Sequence, residues 1–208
     1  NAAIGIKYAQ QQYGVGKVVT LDWDVHHGNG TEAIFIDDPN TLTISMHQDN
    51  LYPPDSGNIN QPEGGVSNIN IPLPAGSGSG AYRSAFEKIV MPAIDRFQPD
   101  LVVIPSGFDS CALDPLGRQM LTSDDYRWMT KQLMFMAEKY CKGKLLACHE
   151  GGYSAIYAPY CGIAVLEELS GASKSFEDPY KNIVSNYGGQ DLSYDQEKAI
   201  ERVENAYL

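Results

Sequence analysis

Five short apolar runs, spaced along the chain with helical or loop-rich stretches between them, constrain the fold more than any other feature. Lys17–Asp22 (KVVTLD), Thr41–Met46, Val66–Ile71, Leu101–Ile104 (LVVI) and Lys144–Cys148 are rich in Val, Ile, Leu and Thr. Runs this short and this apolar read as buried strands. The segments around them carry apolar residues at helical spacing. These are Asn1–Tyr13, ending at Gly14 or Gly16, then Thr31–Ile36, Ser79–Phe97, Ser123–Tyr140, a helix through Ile163 to Leu169, and Ser193–Leu208. Ser123, with Asp124 and Asp125 behind it, is the expected helix start, because a hydroxyl and two carboxylates suit free amides and a positive dipole end. Strand–helix alternation of this kind predicts an α/β fold with a mainly parallel sheet flanked by helices. No repeat or linker divides the chain, so residues 1–208 read as a single domain. Asp37-Asp38-Pro39-Asn40 marks a turn, and the Pro-, Gly-, Asn- and Asp-rich stretch from His47 to Gly65 predicts a long surface loop.

Composition narrows the function classes. At 43 % hydrophobic and 20 % charged residues, the chain of 208 residues can bury a core and does not fit a disordered class. A formal net charge of -11 repels nucleic-acid phosphates and attracts cations, although solubility alone accounts for it equally well. The four cysteines, Cys111, Cys141, Cys148 and Cys161, form no C-x-x-C pair, which excludes a zinc knuckle or a thioredoxin motif. Reduced thiols in a cytoplasmic setting are expected. No apolar run is long enough to span a bilayer, and no direct nucleic-acid or membrane partner is expected.

Ligands of open α/β sheets bind beyond the carboxyl ends of the strands. Three runs here end in chemistry-bearing residues: Asp22-Trp23-Asp24-Val25-His26-His27-Gly28-Asn29-Gly30, Ser106-Gly107-Phe108-Asp109-Ser110 and His149-Glu150-Gly151-Gly152-Tyr153. In an extended stretch Asp24 and His26 point to the same side. With Asp109 they make three protein ligands and leave a position open, the layout of a catalytic zinc. An Asp-x-His pair also fits simple turn polarity, and a Gly-Gly pair an ordinary turn. Gly28 and Gly30 permit a tight turn and close backbone approach. Gly151-Gly152 can let a substrate lie against bare backbone.

These three motifs resemble, in order, the two metal motifs and the tyrosine motif of class II histone deacetylases, their bacterial amidohydrolase relatives and acetylpolyamine amidohydrolases. Asp114-Pro115-Leu116-Gly117, Ser45-Met46-His47 and Tyr52-Pro53 also fit family positions. The resemblance implies the three-layer arginase/deacetylase fold. It implies one divalent metal, usually zinc, on Asp24, His26 and Asp109, and a Tyr153 hydroxyl that hydrogen-bonds the acetyl oxygen. It implies potassium at a first site formed by Asp22, Asp24, His26, Ser45 and Met46, and at a second formed by Phe35, Asp38, Thr41 and Ser67. Tyr52 and Leu116 would line the channel for the acyl-lysine stem, and Gly151 and Gly152 would flank the acetyl pocket. The implied activity is hydrolysis of an acetyl-amine amide in acetyl-lysine or an acetylated polyamine. Association between copies is implied as well, since related bacterial enzymes often form oligomers.

One departure stands out. The family uses two adjacent histidines as general base and acid, placed well before the metal motif, and this chain begins too late to contain them. The expectation is a C-terminal portion of a deacetylase domain. Two rivals remain. Dinuclear-manganese ureohydrolases share the fold but need further carboxylates, where this chain has Gly28 and Cys111. A non-catalytic acyl-binding protein would fit the loss of the paired histidines but not the intact ligands and tyrosine. His27, His47, Glu150 and the cysteines are read as structural, and Trp23 and Trp128 as core residues.

Overall fold

The computed structural model describes residues 1–59 and 67–207. Five strands form one parallel sheet: β1 (Val18–Asp22), β2 (Thr41–Gln48), β3 (Asn68–Leu73), β4 (Leu101–Ser106) and β5 (Leu145–His149). Their order is β3-β2-β1-β4-β5. The chain thus winds outward from β1 in one direction, then returns to β1 and winds outward in the other. The crevice between β1 and β4 is where the winding reverses, the place where such sheets bind ligands.

Strand alternation divides the core. Val18 and Val103 point to one face, where Ala2, Ala3 and Ile6 of α1 (Ala2–Tyr13) and Phe35 of α2 (Asn29–Phe35) cover them. Val19, Leu21, Val102 and Ile104 point to the other face. There they meet α3 (Ser79–Ala85), α4 (Met91–Phe97), α5 (Ser123–Cys141), α6 (Ala158–Ser170) and α8 (Tyr194–Tyr207). A short α7 (Lys181–Ser185) lies between the last two. Each such buried side chain contributes on the order of 1.5–3 kcal/mol. Trp23, completely buried, sits edge-on to Tyr126 at 6.2 Å beneath the β1–β4 crevice. The edge strand β5 is less covered than the rest, with Leu146 47 % exposed and Ile163 and Leu166 of α6 exposed as well.

Several local expectations need correction. The cap of α5 is Thr122, not Ser123, because Asp125 reaches back to accept both the Thr122 amide (2.8 Å) and its hydroxyl (2.7 Å). Ser123 instead donates its hydroxyl to Asp178 at 2.6 Å. The helix expected over Ser79–Phe97 contains a π turn at Phe86–Val90, next to Pro92, which has no amide to continue the α pattern. The α6 helix starts at Ala158, ahead of the apolar periodicity that marks it in sequence, and α7 was not foreseen. His47 belongs to β2, not to the following loop. Trp128 is only partly buried, meeting Phe86 edge-on at 5.3 Å and carrying the Arg83 guanidinium over its ring. Residues 60–65 of the expected loop, Val66 at the expected head of the third strand, and Leu208 lie outside the described residues.

Candidate metal centre

β1, β4 and β5 are neighbours in the sheet, so the three polar motifs that follow them are brought side by side. Beyond Asp22 the chain bends instead of staying extended. Asp22 Oδ1 accepts the Asp24 amide at 3.0 Å, and Asp24 Oδ1 accepts the His26 amide at 2.9 Å. These two turns, not strand alternation, aim Asp24 and His26 at one point. Asp109 enters from β4 and is anchored by the Val25 amide, which donates to Oδ1 at 2.8 Å. One ligand atom each from Asp24, His26 and Asp109 lies within 4.8 Å of the others, the single such group among the described residues.

His26 Nδ1 stands 3.0 Å from Asp24 Oδ1 and 3.1 Å from Asp109 Oδ2. Asp109 is fully buried, and its Oδ2 has no hydrogen-bond partner, His26 Nδ1 being close but out of line. A buried carboxylate oxygen left in that condition is costly unless a cation or proton faces it. The charges respond accordingly. Asp109 foremost, then Asp24, push the His26 imidazole up to about 10, so a proton sits where two carboxylates converge. Burial opposes ionisation of Asp24, but hydrogen bonds from His26 and from the Gly151 amide outweigh it and lower its pKa. Burial raises Asp109. Burial, then the charge of Asp24, raises the Asp22 pKa well above its ordinary value. Two carboxylates and an imidazole, one oxygen orphaned, form a donor set that fits a divalent cation.

Glycines let the backbone close on these carboxylates. The Gly151 amide donates to Asp24 Oδ2 at 2.9 Å. A Cβ at Gly151 would fall 2.6 Å from that oxygen, and one at Gly107 would fall 2.7 Å from Asp24 Cα. Gly151 thus presses on Asp24 and Asp109. Gly152, at φ 134°, adopts a conformation that side chains rarely reach. Gly28 approaches Asp22 Oδ2, but Gly30 lies within α2 with nothing near it, so neither a turn nor close packing requires it.

Tyr153 follows directly and is 53 % exposed. Burial, then the charges of Asp109 and Asp24, raise its pKa and keep the hydroxyl protonated. Its position depends on Asp114, a residue the sequence showed only as part of a motif. Asp114 Oδ2 accepts the Tyr153 amide at 2.7 Å and the Ser154 amide at 3.0 Å, and Oδ1 accepts the Leu116 amide at 2.9 Å. One carboxylate therefore fixes both the tyrosine and Leu116. Tyr52 stands edge-on to His26 at 6.0 Å, and both Tyr52 and Leu116 are exposed at the rim.

The residues of the implied potassium sites fall in two places. Asp22 and Ser45 are register partners on β1 and β2, with Met46 next in β2. Phe35, Asp38, Thr41 and Ser67 surround the α2–β2 turn. There the Phe35 carbonyl accepts the Asp38 amide (2.9 Å), the Asp38 carbonyl that of Thr41 (3.1 Å) and the Ser67 carbonyl that of Thr43 (2.9 Å). Lys7 already brings a cation to this corner, 2.8 Å from Asp38 Oδ2.

A family profile described as the histone deacetylase domain matches residues 1–169. The histone deacetylase-like amidohydrolase of Pseudomonas aeruginosa is 47 % identical over 187 residues, 88 % of this chain and 49 % of that protein. A probable deacetylase of Archaeoglobus fulgidus is 38 % identical over 176 residues, 82 % of this chain and 48 % of that protein. The solved structure of the histone deacetylase Clr3 superposes with a TM-score of 0.83 at 30 % identity, covering 99 % of this chain and 34 % of that one. The chain thus spans about half the length of these curated relatives. With its parallel sheet, its neighbours and its matched domain in agreement, the chain has the arginase/deacetylase fold and belongs to the histone deacetylase family.

Proposed function

We propose that the protein to which this chain belongs hydrolyses the amide of an acetylated amine, in acetyl-lysine or an acetylated polyamine. The observation that carries this reading is the meeting of Asp24, His26 and Asp109 around an orphaned carboxylate oxygen, with Tyr153 near enough to feel the charges of Asp109 and Asp24. Asp24, His26 and Asp109 would hold one divalent metal, zinc in this proposal. When bound, such an ion supplies Lewis acidity toward a carbonyl and lowers the pKa of water. Tyr153, kept protonated, donates a hydrogen bond to the carbonyl oxygen as negative charge builds on it, a contribution of about 3–4 kcal/mol. Tyr52 and Leu116 flank the acyl-amine stem, and Gly151 and Gly152 bound the acetyl group. The net charge of -11 favours cationic substrates.

Potassium would bind at Asp22, Asp24, His26, Ser45 and Met46, where buried like charges call for a cation. The second proposed site, at Phe35, Asp38, Thr41 and Ser67, has Lys7 as a competitor. We also propose that the chain is the C-terminal portion of its deacetylase domain and that the paired acid–base histidines belong to the rest. The match to about half of each relative and the thinly covered β5 edge support this. No helix among the described residues is long and apolar enough to cross a membrane. A dinuclear ureohydrolase site is disfavoured, because a side chain at Gly28 would strike Asp22 Oδ2 at 2.7 Å and Cys111 replaces the other carboxylate.

The test uses the full-length parent protein, with bound metal and turnover of a fluorogenic acetyl-lysine peptide measured on the same sample. One equivalent of zinc, with activity lost in Asp24→Ala and Tyr153→Phe, is expected. Two equivalents of manganese, or metal without turnover of any acyl-amine, would replace this reading with the ureohydrolase or the non-catalytic one.

A further inference from the structure

Behind the metal centre, on the β2–β3 side, lies a polar network that the chemistry above does not use. Two imidazoles, His27 and His47, are buried with ring centroids 4.8 Å apart. They come from different elements, the loop after β1 and β2 itself. The segment from Tyr52 to Asn58 lies directly against them. A Cβ at Gly57 would fall 2.9 Å from His27 Cγ and 2.9 Å from His47 Cε1, so only glycine lets this backbone lie on both rings.

Hydrogen bonds fix which nitrogen of each ring carries a proton. The Gly57 carbonyl can only accept, and it stands 2.9 Å from His47 Nε2, so that nitrogen donates. His47 Nδ1 is then free to accept from the Ser45 hydroxyl at 2.9 Å. His27 Nε2 faces two acceptors, Glu32 Oε2 at 2.7 Å and Asn70 Oδ1 at 3.1 Å, and donates to them. Its Nδ1 is left for the Ser56 hydroxyl. Asn70, fully buried, donates to Glu32 Oε2 at 2.9 Å and to the Asn58 carbonyl at 3.1 Å. The His27 amide itself donates to the Tyr52 carbonyl at 3.0 Å. The hydrogen bonds at Tyr52, Ser56, Gly57 and Asn58 lead to His27, His47 and Asn70.

We propose that His27 and His47, with Glu32 and Asn70 locking His27, form a two-imidazole clamp that positions the 52–58 segment. The clamp would thereby set the Tyr52 wall against which the stem of a long acyl-amine substrate packs. These are positioning residues, and their effect on substrate rests on the deacetylase reading. Glu32 is the informative position. Its side-chain hydrogen bonds go to His27 and Asn70, and none goes to Asp24, Asp109 or Tyr52.

The test is made in the full-length parent with Glu32→Ala, Glu32→Gln and, on the loop side alone, Ser56→Ala. In Glu32→Ala, amide hydrogen exchange across residues 52–58 should speed up by about tenfold while bound metal stays at the wild-type stoichiometry. KM for an acetyl-lysine peptide should rise about tenfold with kcat within about threefold. A short acetylated amine that does not reach Tyr52 should keep its KM. Glu32→Gln, which retains an acceptor, should recover most of both effects, and Ser56→Ala should show a smaller version of each. Unchanged exchange at 52–58 overturns the clamp. So does loss of metal with a fall in kcat at constant KM, which would mean that the network holds the ligands and not the wall. If the parent hydrolyses no acyl-amine, the functional reading fails separately, and the exchange result alone then supports or overturns the clamp.

Discussion

Substitution of Gly151 by alanine isolates the packing of backbone against Asp24 and Asp109, the proposed metal ligands. Its φ is not in the left-handed region, so alanine adds no backbone strain there, and the added methyl is the whole perturbation. That methyl would lie 2.6 Å from Asp24 Oδ2 and 2.9 Å from Asp109 Cγ, where ordinary contact begins at 3.4 Å. One or both carboxylates must therefore retreat by roughly 1 Å, or the 150–153 turn must lift away and break the Gly151 amide bond to Asp24. Overpacking on this scale costs about 1–3 kcal/mol, which for a chain of this size lowers Tm by roughly 2–12 °C. The effect on metal should be larger, since a working site holds its ligand distances to within about 0.2 Å. We expect a loss of about 10²-fold or more in zinc affinity, read by competition with a chelator in the full-length parent, with activity falling at least as far. Gly30→Ala is the control. It sits in α2 with no atom within 4 Å of the new methyl, and it should bind zinc normally and gain up to about 1 kcal/mol. Wild-type zinc affinity and Tm in Gly151→Ala would refute the claim that glycine is needed here to seat the carboxylates.

Two further outcomes follow from the geometry. Asp114→Ala leaves the amides of Tyr153, Ser154 and Leu116 without their acceptor, so kcat should fall about 10- to 100-fold while zinc stoichiometry holds; loss of zinc instead would show that Asp114 supports the ligands. The His26 pKa of about 10, raised above its ordinary 6.5, gives the metal-free protein a stabilising imidazolium that is fully present below pH 6.5 and lost as pH rises through about 10. At pH 8 an ordinary histidine would release almost no proton on metal binding, whereas His26 should release about one, which calorimetry in buffers of different ionisation enthalpy measures directly.

The sheet was readable because its evidence is local and repeated: every apolar run became a strand, and alternation with helices required parallel pairing. That Asp24, His26 and Asp109 meet was readable, but not the geometry by which they do. Asp24, His26 and Asp109 stood out as chemistry at strand ends, yet the route by which Asp24 and His26 converge is a pair of side-chain-to-amide turns that no periodicity encodes. Asp114 was hidden because its work is done on backbone amides almost 40 residues away in sequence. Thr122 and Ser123 are both good caps in sequence, and only the reach of Asp125 chooses between them. Gly30 looked useful by its company, while the need for Gly107 and Gly151 comes from atoms distant in the chain.

The topology explains why the acids gather. Because the chain leaves β1 in one direction and returns beside it as β4, the loops after these two strands part at the β1–β4 crevice and leave it open. Asp22 and Asp24 approach from one lip and Asp109 from the other, with Gly151 closing over them from β5. Burial and like charges raise Asp22 and Asp109, and the same carboxylates favour a proton on His26. The divalent ion proposed here would displace that proton and answer the same charges, and relief of their repulsion would contribute to its binding. The β2–β3 side has a different task. Its buried groups are neutral or paired, and its hydrogen bonds end on the 52–58 loop and on Ser45, not on Asp24, His26 or Asp109, so it can shape the rim without touching the charge at the centre.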